Sequence, residues 1–277
     1  MMSYIRPTTL QATLDVLGGA SCAIIAGGTD FYPSQMAPDM GGQVLDITAL
    51  PGLRAIERTP SGWSIPCLTT WSDLMATPLP PLFDALRQAA RQVGGVQIQN
   101  AGTLVGNVCN ASPAADGVPC LLALGATVEL ASRRGSRVLP LQDFIIGPRH
   151  TALRREEVAL RLHIPDCGGV SRFEKLGARA YLVISIAMVA AWLRLDGEVI
   201  ADARVAVGAC GPCAILLPEL ASALVGQHCA SVNIKPEWLH ALSPIDDVRA
   251  PAEYRLHAAR TLIERAVRGL ASQALAA

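Results

Sequence analysis

Two glycine-bearing segments constrain this chain more than anything else in it: Ile25-Ala-Gly-Gly-Thr-Asp30 and Asn100-Ala-Gly-Thr-Leu-Val-Gly-Asn107. The first continues Ala23-Ile24-Ile25, a short apolar run that reads as a buried strand. Glycine permits positive φ and has no Cβ to block a close approach. A strand running into Gly27-Gly28 therefore turns tightly, and successive N–H groups in such a turn can converge on an anion. Thr29 adds a hydroxyl donor. This is not the G-x-G-x-x-G fingerprint, so a Rossmann nicotinamide site is not supported. Alone, such a motif is more often a tight turn with no ligand. The second segment repeats the combination in Gly102, Thr103, Gly106 and Asn107. A ligand gripped by both turns has to be long, as a dinucleotide with its diphosphate bridge is.

Downstream, Ser112-Pro113-Ala-Ala-Asp116 supports two readings. Asp116 can bond the hydroxyls of a ribose. Equally, Ser112 and Pro113 can be the N-cap and first residue of a helix, with Asp116 a first-turn charge favouring its dipole.

The 277 residues suffice for two modest domains or one large one, and 51% hydrophobic against 17% charged residues supply an ample core. With 23 basic and 23 acidic residues the net charge is zero. No basic stripe or acidic tail points to nucleic acid or a membrane surface as the main partner. The mean hydropathy of +0.35 raises the membrane question. The longest apolar run, over 182–193, is broken by Ser185 and bracketed by Arg179 and Arg194. It falls short of the roughly 20 residues a span requires, and reads as buried core. The first residues show no apolar signal region, which makes a cytoplasmic location the expectation. Among eight cysteines only Cys210-Gly-Pro-Cys213 has C-x-x-C spacing. Neither a second pair nor a histidine pattern accompanies it, so the two read as small residues around a turn, and no metal is expected on this chain.

Hydrophobic spacing predicts a helix carrying Leu10, Leu14 and Leu17 and ending at Gly18-Gly19, strands over 44–47 and 63–68, and a helix over 82–93. A region of small residues over 94–117 follows, then a helix over 121–124 and strands over 127–131 and 157–164. Asp166-Cys167-Gly168-Gly169 is the best linker. Beyond it come strands near Phe173 and over 203–207, and a long amphipathic helix through Leu256, Ile263 and Leu270. The expected organisation is two α+β units, residues 1–168 and 169–277.

The strings AGGTDFYP (26–33) and IQNAGTLVGNVCNASPAADGVPCLLALGA (98–126) resemble the flavin subunits of the xanthine dehydrogenase and carbon monoxide dehydrogenase family. IPCLTTWSDL (65–74), EVALRLHIP (157–165), FEKLGARA (173–180), ARVAVGACGPCA (203–214) and EYRLHAARTLIERAV (253–267) extend the likeness along the chain. The resemblance implies an α+β protein: a PCMH-type FAD-binding domain of two α/β subdomains, then a C-terminal α+β domain of the CO dehydrogenase flavoprotein type. It implies FAD, bound by Ile25, Ala26, Gly27, Gly28, Thr29, Asp30 and Phe31 and by Thr103, Leu104, Val105, Gly106 and Asn107, with its diphosphate held by the turns at Gly27-Gly28 and Thr103–Asn107. By the same resemblance Asp116 bonds the adenosine ribose, Lys175 lies near the isoalloxazine, and the strand at Ala159-Leu160 packs beside the flavin. Lys175 is one of two lysines in the chain; the bland alternative is a solvated surface side chain.

Four departures from the family pattern stand out. Val105 replaces the first glycine of a G-G-N, and a β-branched side chain resists positive φ. Either this turn needs no such conformation, or flavin binding is altered. Gln99 replaces an arginine, Pro66-Cys67 replace Gly-Ala, and Leu182-Val183-Ile184 stand where an aspartate is usual.

No nucleophile–base pair or metal triad can be assembled, which suits a subunit whose cofactor carries the chemistry. The implied complex is a heterotrimer: molybdopterin on a large subunit, [2Fe–2S] clusters on a small one, and electrons passing through FAD here to NAD+, oxygen or another acceptor. Two rivals are a stand-alone FAD oxidase, for which Cys109 is the speculative covalent anchor, and a flavin-free scaffold, for which Val105 is the argument.

Overall fold

In the computed structural model, which describes residues 3–19, 21–34 and 42–274, the first strands are short and parallel. β1 (Ser3–Ile5), β2 (Cys22–Ile25) and β3 (Gln43–Asp46) pair in the order β1-β3-β2. Parallel neighbours need a crossover, and α1 (Leu10–Gly19) connects β1 to β2, burying Thr13, Leu14 and Leu17. β2 ends at Ile25, so Gly27-Gly28 sit at its carboxyl end, the edge at which parallel α/β sheets present ligands. The short α2 (Phe31–Ser34) starts directly afterwards.

A second sheet is antiparallel. It contains β4 (Glu57–Thr59), β5 (Gly62–Pro66), β6 (Thr127–Ser132) and β7 (Gly135–Pro140); a small hairpin, β8 (Ile145–Gly147) and β9 (His150–Thr151), then leads to its central strand, β10 (Val158–Pro165). The order is β4-β5-β10-β6-β7. Between β5 and β6 the chain forms five short helices: α3 (Trp71–Ala76), α4 (Asp84–Ala90), α5 (Val96–Ala101), α6 (Leu104–Asn110) and α7 (Gly117–Ala123). A reciprocal cap between Thr70 and Asp73 starts α3. The helix expected over 82–93 is shorter, α4 being entered through a 3-10 turn at Pro81–Phe83. α8 (Leu141–Phe144) follows β7.

The remainder is an antiparallel meander, β11 (Val170–Leu176), β12 (Ala187–Asp196), β13 (Val199–Gly208) and β14 (Ile215–Leu216), with α9 (Pro218–Leu224) and α10 (Ala252–Ala274). Side chains alternate faces along a strand. Met188, Ala190 and Trp192 join the core of the preceding domain, which α7 brings against β12 and β13. Ala187, Val189, Ala191 and Leu193 face the other way, into a core closed by α9 and α10. A sheet covered on both faces has no polar side, which is why β12 reads as continuous hydrophobicity.

The apolar run over 182–193 is therefore core only from residue 185, Ser185 and Ile186 being buried just ahead of β12. Leu182 and Ile184 are 48% and 62% exposed, in a loop that precedes β12. There the Arg179 guanidinium binds the Leu182 carbonyl, and Leu182 itself has φ +52°. Hydropathy alone cannot separate a loop from the strand it enters. No helix among the described residues is long and apolar enough to cross a membrane. Cys210 and Cys213 flank a bend as free thiols, and no cluster of potential metal ligands occurs among the described residues.

Candidate functional site

The two glycine segments meet. A Cβ on Gly27 would collide with the Ala101 carbonyl oxygen, so this approach excludes any other residue. Gly28 has φ +68°, the left-handed region that L side chains avoid. On the facing side, a Cβ on Gly102 would come within 3.2 Å of Thr29 Oγ1. Together the segments form one wall of a cleft of about 490 Å³. Trp71, Ile98, Cys67, Cys109, Val158 and Ala159 supply much of the apolar remainder.

The second segment is not the turn its composition implies. Residues up to Ala101 close α5, Thr103 is the N-cap of α6 with Oγ1 accepting from the Gly106 N–H at 3.1 Å, and Leu104–Asn110 are helical. Thr103 followed by a helix-compatible run is an N-cap signature that was available in the sequence. Val105 lies in the first turn of α6, where φ is negative, so its β-branched side chain meets no conformational objection. It is buried and lines the cleft. Asn107 also lines the cleft, and its buried Oδ1 has no hydrogen-bond partner. A buried acceptor left unpaired is costly, so it points to a donor that a ligand or water would bring.

Of the sixteen residues expected at the site, twelve line this cleft: the seven of 25–31, Thr103, Val105, Gly106, Asn107 and Ala159. Leu104 and Leu160 are buried behind it. A register shift between Ala159 and Arg161 lets β10 turn Ala159 toward the cleft beside Val158. Asp116 and Lys175 are brought together, but not onto the lining. Lys175 Nζ lies 2.5 Å from Asp116 Oδ2, and Ser185 Oγ donates to Oδ1 at 2.6 Å. Both side chains are about nine-tenths or more buried, at 5% and 6% exposure, so Lys175 is not a solvated surface residue. Burial pushes the Asp116 carboxyl above its ordinary range, while the Lys175 charge and the Ser185 hydroxyl pull it back. Asp116 precedes α7 without capping it; Ser112 Oγ instead accepts from the Ala114 N–H, a local turn, and no helix begins at Pro113.

Burial pushes the Cys67 and Cys109 thiols up to about 12. A raised thiol is a weaker nucleophile near neutral pH, which disfavours a covalent flavin anchor at Cys109. Sequence reasoning missed Ile47, Trp71 and Ile98 on the cleft, all ordinary core-type residues, and Arg149 beside it. Arg149 stands at the tip of the β8–β9 hairpin and reaches Asp30, 119 positions away in the chain, a contact no local pattern announces.

The fit to a dinucleotide rests on these observations: a close-approach glycine, a left-handed glycine, a helix opening on the cleft and an orphan buried acceptor. Comparison with known proteins agrees. Residues 1–167 match the FAD binding domain in molybdopterin dehydrogenase, and residues 172–270 match the CO dehydrogenase flavoprotein C-terminal domain. The chain thus belongs to the FAD-binding medium subunits of the molybdopterin-dependent dehydrogenases. It is 28% identical to the glyceraldehyde dehydrogenase medium chain of Sulfolobus acidocaldarius, over 97% of this chain and 98% of that one. It is 29% identical to the xanthine dehydrogenase FAD-binding subunit of Escherichia coli O157:H7, over 99% and 96%. Its fold superposes on a chain of carbon monoxide dehydrogenase from Hydrogenophaga pseudoflava with a TM-score of 0.89 at 25% identity, covering 98% and 97% of the two chains.

Proposed function

We propose that this chain is the electron-transferring flavoprotein of a heterotrimeric molybdenum hydroxylase acting in the cytoplasm, with residues 1–168 as the FAD domain and 169–277 as the C-terminal domain. Its partners are a [2Fe–2S] small subunit, from which electrons arrive, and a molybdopterin large subunit, where the organic substrate is transformed. NAD+ is the acceptor we infer first. The observation that carries the reading is the contact of Gly27 with Ala101, which sets both glycine segments along one cleft.

FAD, when bound, supplies two-electron storage together with one-electron exchange. The chain's own part is to bind and orient it. The backbone of residues 25–31 and the first turn of α6 are the groups we assign to the diphosphate, and Ala159 and Val158 exclude water from the ring. Asp116 and Lys175 enter this reading as a pair: to reach the ribose and the isoalloxazine they would exchange their mutual contact for the ligand. Among the described cleft residues the one carboxylate, Asp30, is tied to Arg149, and burial raises the Cys67 and Cys109 thiols, which favours electron transfer over the oxidase alternative.

The test is anaerobic purification of the tagged chain from its native cell, with metal and flavin analysis. The reading expects molybdenum, iron and acid-labile sulfide eluting in fixed proportion to FAD, and flavin bleaching by NADH. A chain that elutes alone and consumes oxygen with an organic substrate would establish the oxidase instead.

A further inference from the structure

Asp30, at the end of the first glycine segment, and Asn110, at the end of α6, both line the cleft. One guanidinium nitrogen of Arg149 binds them both, at 2.7 Å to Asp30 Oδ2 and by a hydrogen bond to Asn110 Oδ1. The hairpin tip is anchored as well: the Arg149 N–H donates to the Ala111 carbonyl at 2.8 Å. Arg149 and Ala111 have φ of +58° and +47°. Two non-glycine residues in the left-handed region, joined backbone to backbone, mark a conformation that its surroundings over-determine, as happens at ligand clamps. Arg149 does not line the cleft itself; it ties together two residues that do.

We infer that Arg149 is a latch. It joins the outer ends of the two segments assigned to the dinucleotide, and so opposes the separation that would let the dinucleotide leave. It is a positioning residue, acting through Asp30 and Asn110, and the inference rests on the FAD reading above. The latch is suited to this and not to holding up the fold. Both members of the ion pair are more than half exposed, and exposed pairs contribute little to global stability.

Release of FAD from the holoprotein, followed by its rise in fluorescence after dilution, tests the latch. Arg149→Ala and Asp30→Asn should each speed release about five-fold, the order that one exposed pair can supply. The double variant should release no faster than either single one. Arg149→Lys should recover part of the loss. Salt should speed release more in the wild type than in Arg149→Ala, because the pair is exposed to screening, while the melting temperatures stay together. Unchanged release from Arg149→Ala overturns the latch and leaves the FAD reading intact. Slower release from Asp30→Asn beside faster release from Arg149→Ala also overturns it, since Arg149 would then act on the ligand directly. A wild-type chain that retains no FAD overturns the underlying reading, and the latch with it.

Discussion

The cleft and the domain junction handle polar groups in opposite ways. In the cleft, Asn107 Oδ1 is buried without a partner, and two glycines bring bare backbone to the surface of the cavity. At the junction, Asp116, Lys175 and Ser185 are as deeply buried, yet both carboxylate oxygens are bound. From there the polar contacts continue: Arg249 donates to the Ser185 carbonyl and pairs with Asp247, which in turn holds the buried Arg255. Unsatisfied groups lining a cavity mark a place kept for a ligand, whereas a closed network marks a joint between domains.

The largest effect that could break this contrast is at the junction. Lys175→Met leaves Asp116 buried with only Ser185 beside it, and should cost about 3–5 kcal/mol in urea unfolding, as removing one member of a buried pair does. The pH dependence should sharpen too. Asp116 has a raised folded value, so its favourable contribution is present below the ordinary carboxylate value of 3.8 and is lost as pH rises through the raised one. Without Lys175 that loss should deepen. If the variant instead kept its full stability and lost FAD, the pair would serve the cofactor alone and not the joint, and the contrast would fail.

Next comes Gly27→Ala. The new methyl group has to displace backbone at Ala101, at a cost of about 1–3 kcal/mol, and stoichiometric FAD should disappear from the purified chain. A variant that still carried FAD would remove the close approach as the basis of the site. Val105→Gly should be of similar or smaller size, about 1–3 kcal/mol, because it deletes a buried side chain and weakens the first turn of α6. It should not improve FAD retention, which equilibrium titration would check. An improvement would revive the idea that this position needs glycine.

The smallest expected effect concerns Glu157, which neither lines the cleft nor joins the junction network. Burial tends to raise the Glu157 carboxyl, but bidentate Arg137, the Arg154 N–H and nearby charges outweigh it and hold the value below its ordinary 4.5. Stability from this group is therefore present above about pH 4.5 and is lost as pH falls through the lowered value. Glu157→Gln should flatten the acid limb of the stability curve by a measurable margin and leave neutral stability little changed.

Much of this is legible in the sequence. β2 running into Gly27-Gly28 and the repeat of apolar residues along α10 follow from short-range patterns that tertiary contacts reinforce. The helical second segment is hidden in the sequence, because Gly and Asn over 100–107 look like turn composition and α6 is too short to show a period. Leu182 and Ile184 read as core in the sequence because loop and strand share one hydropathy, yet both are exposed. The Asp116–Lys175 pair and the Arg149 bridge join residues far apart in the chain, at separations of 59 and 119, and only folding reveals such partners.

The absorption spectrum of the purified chain, before and after acid release, with the released cofactor identified by chromatography, tests the central claim most directly. The account predicts one non-covalent FAD per chain, freed completely by acid. A colourless chain that cannot be reconstituted with FAD would contradict it.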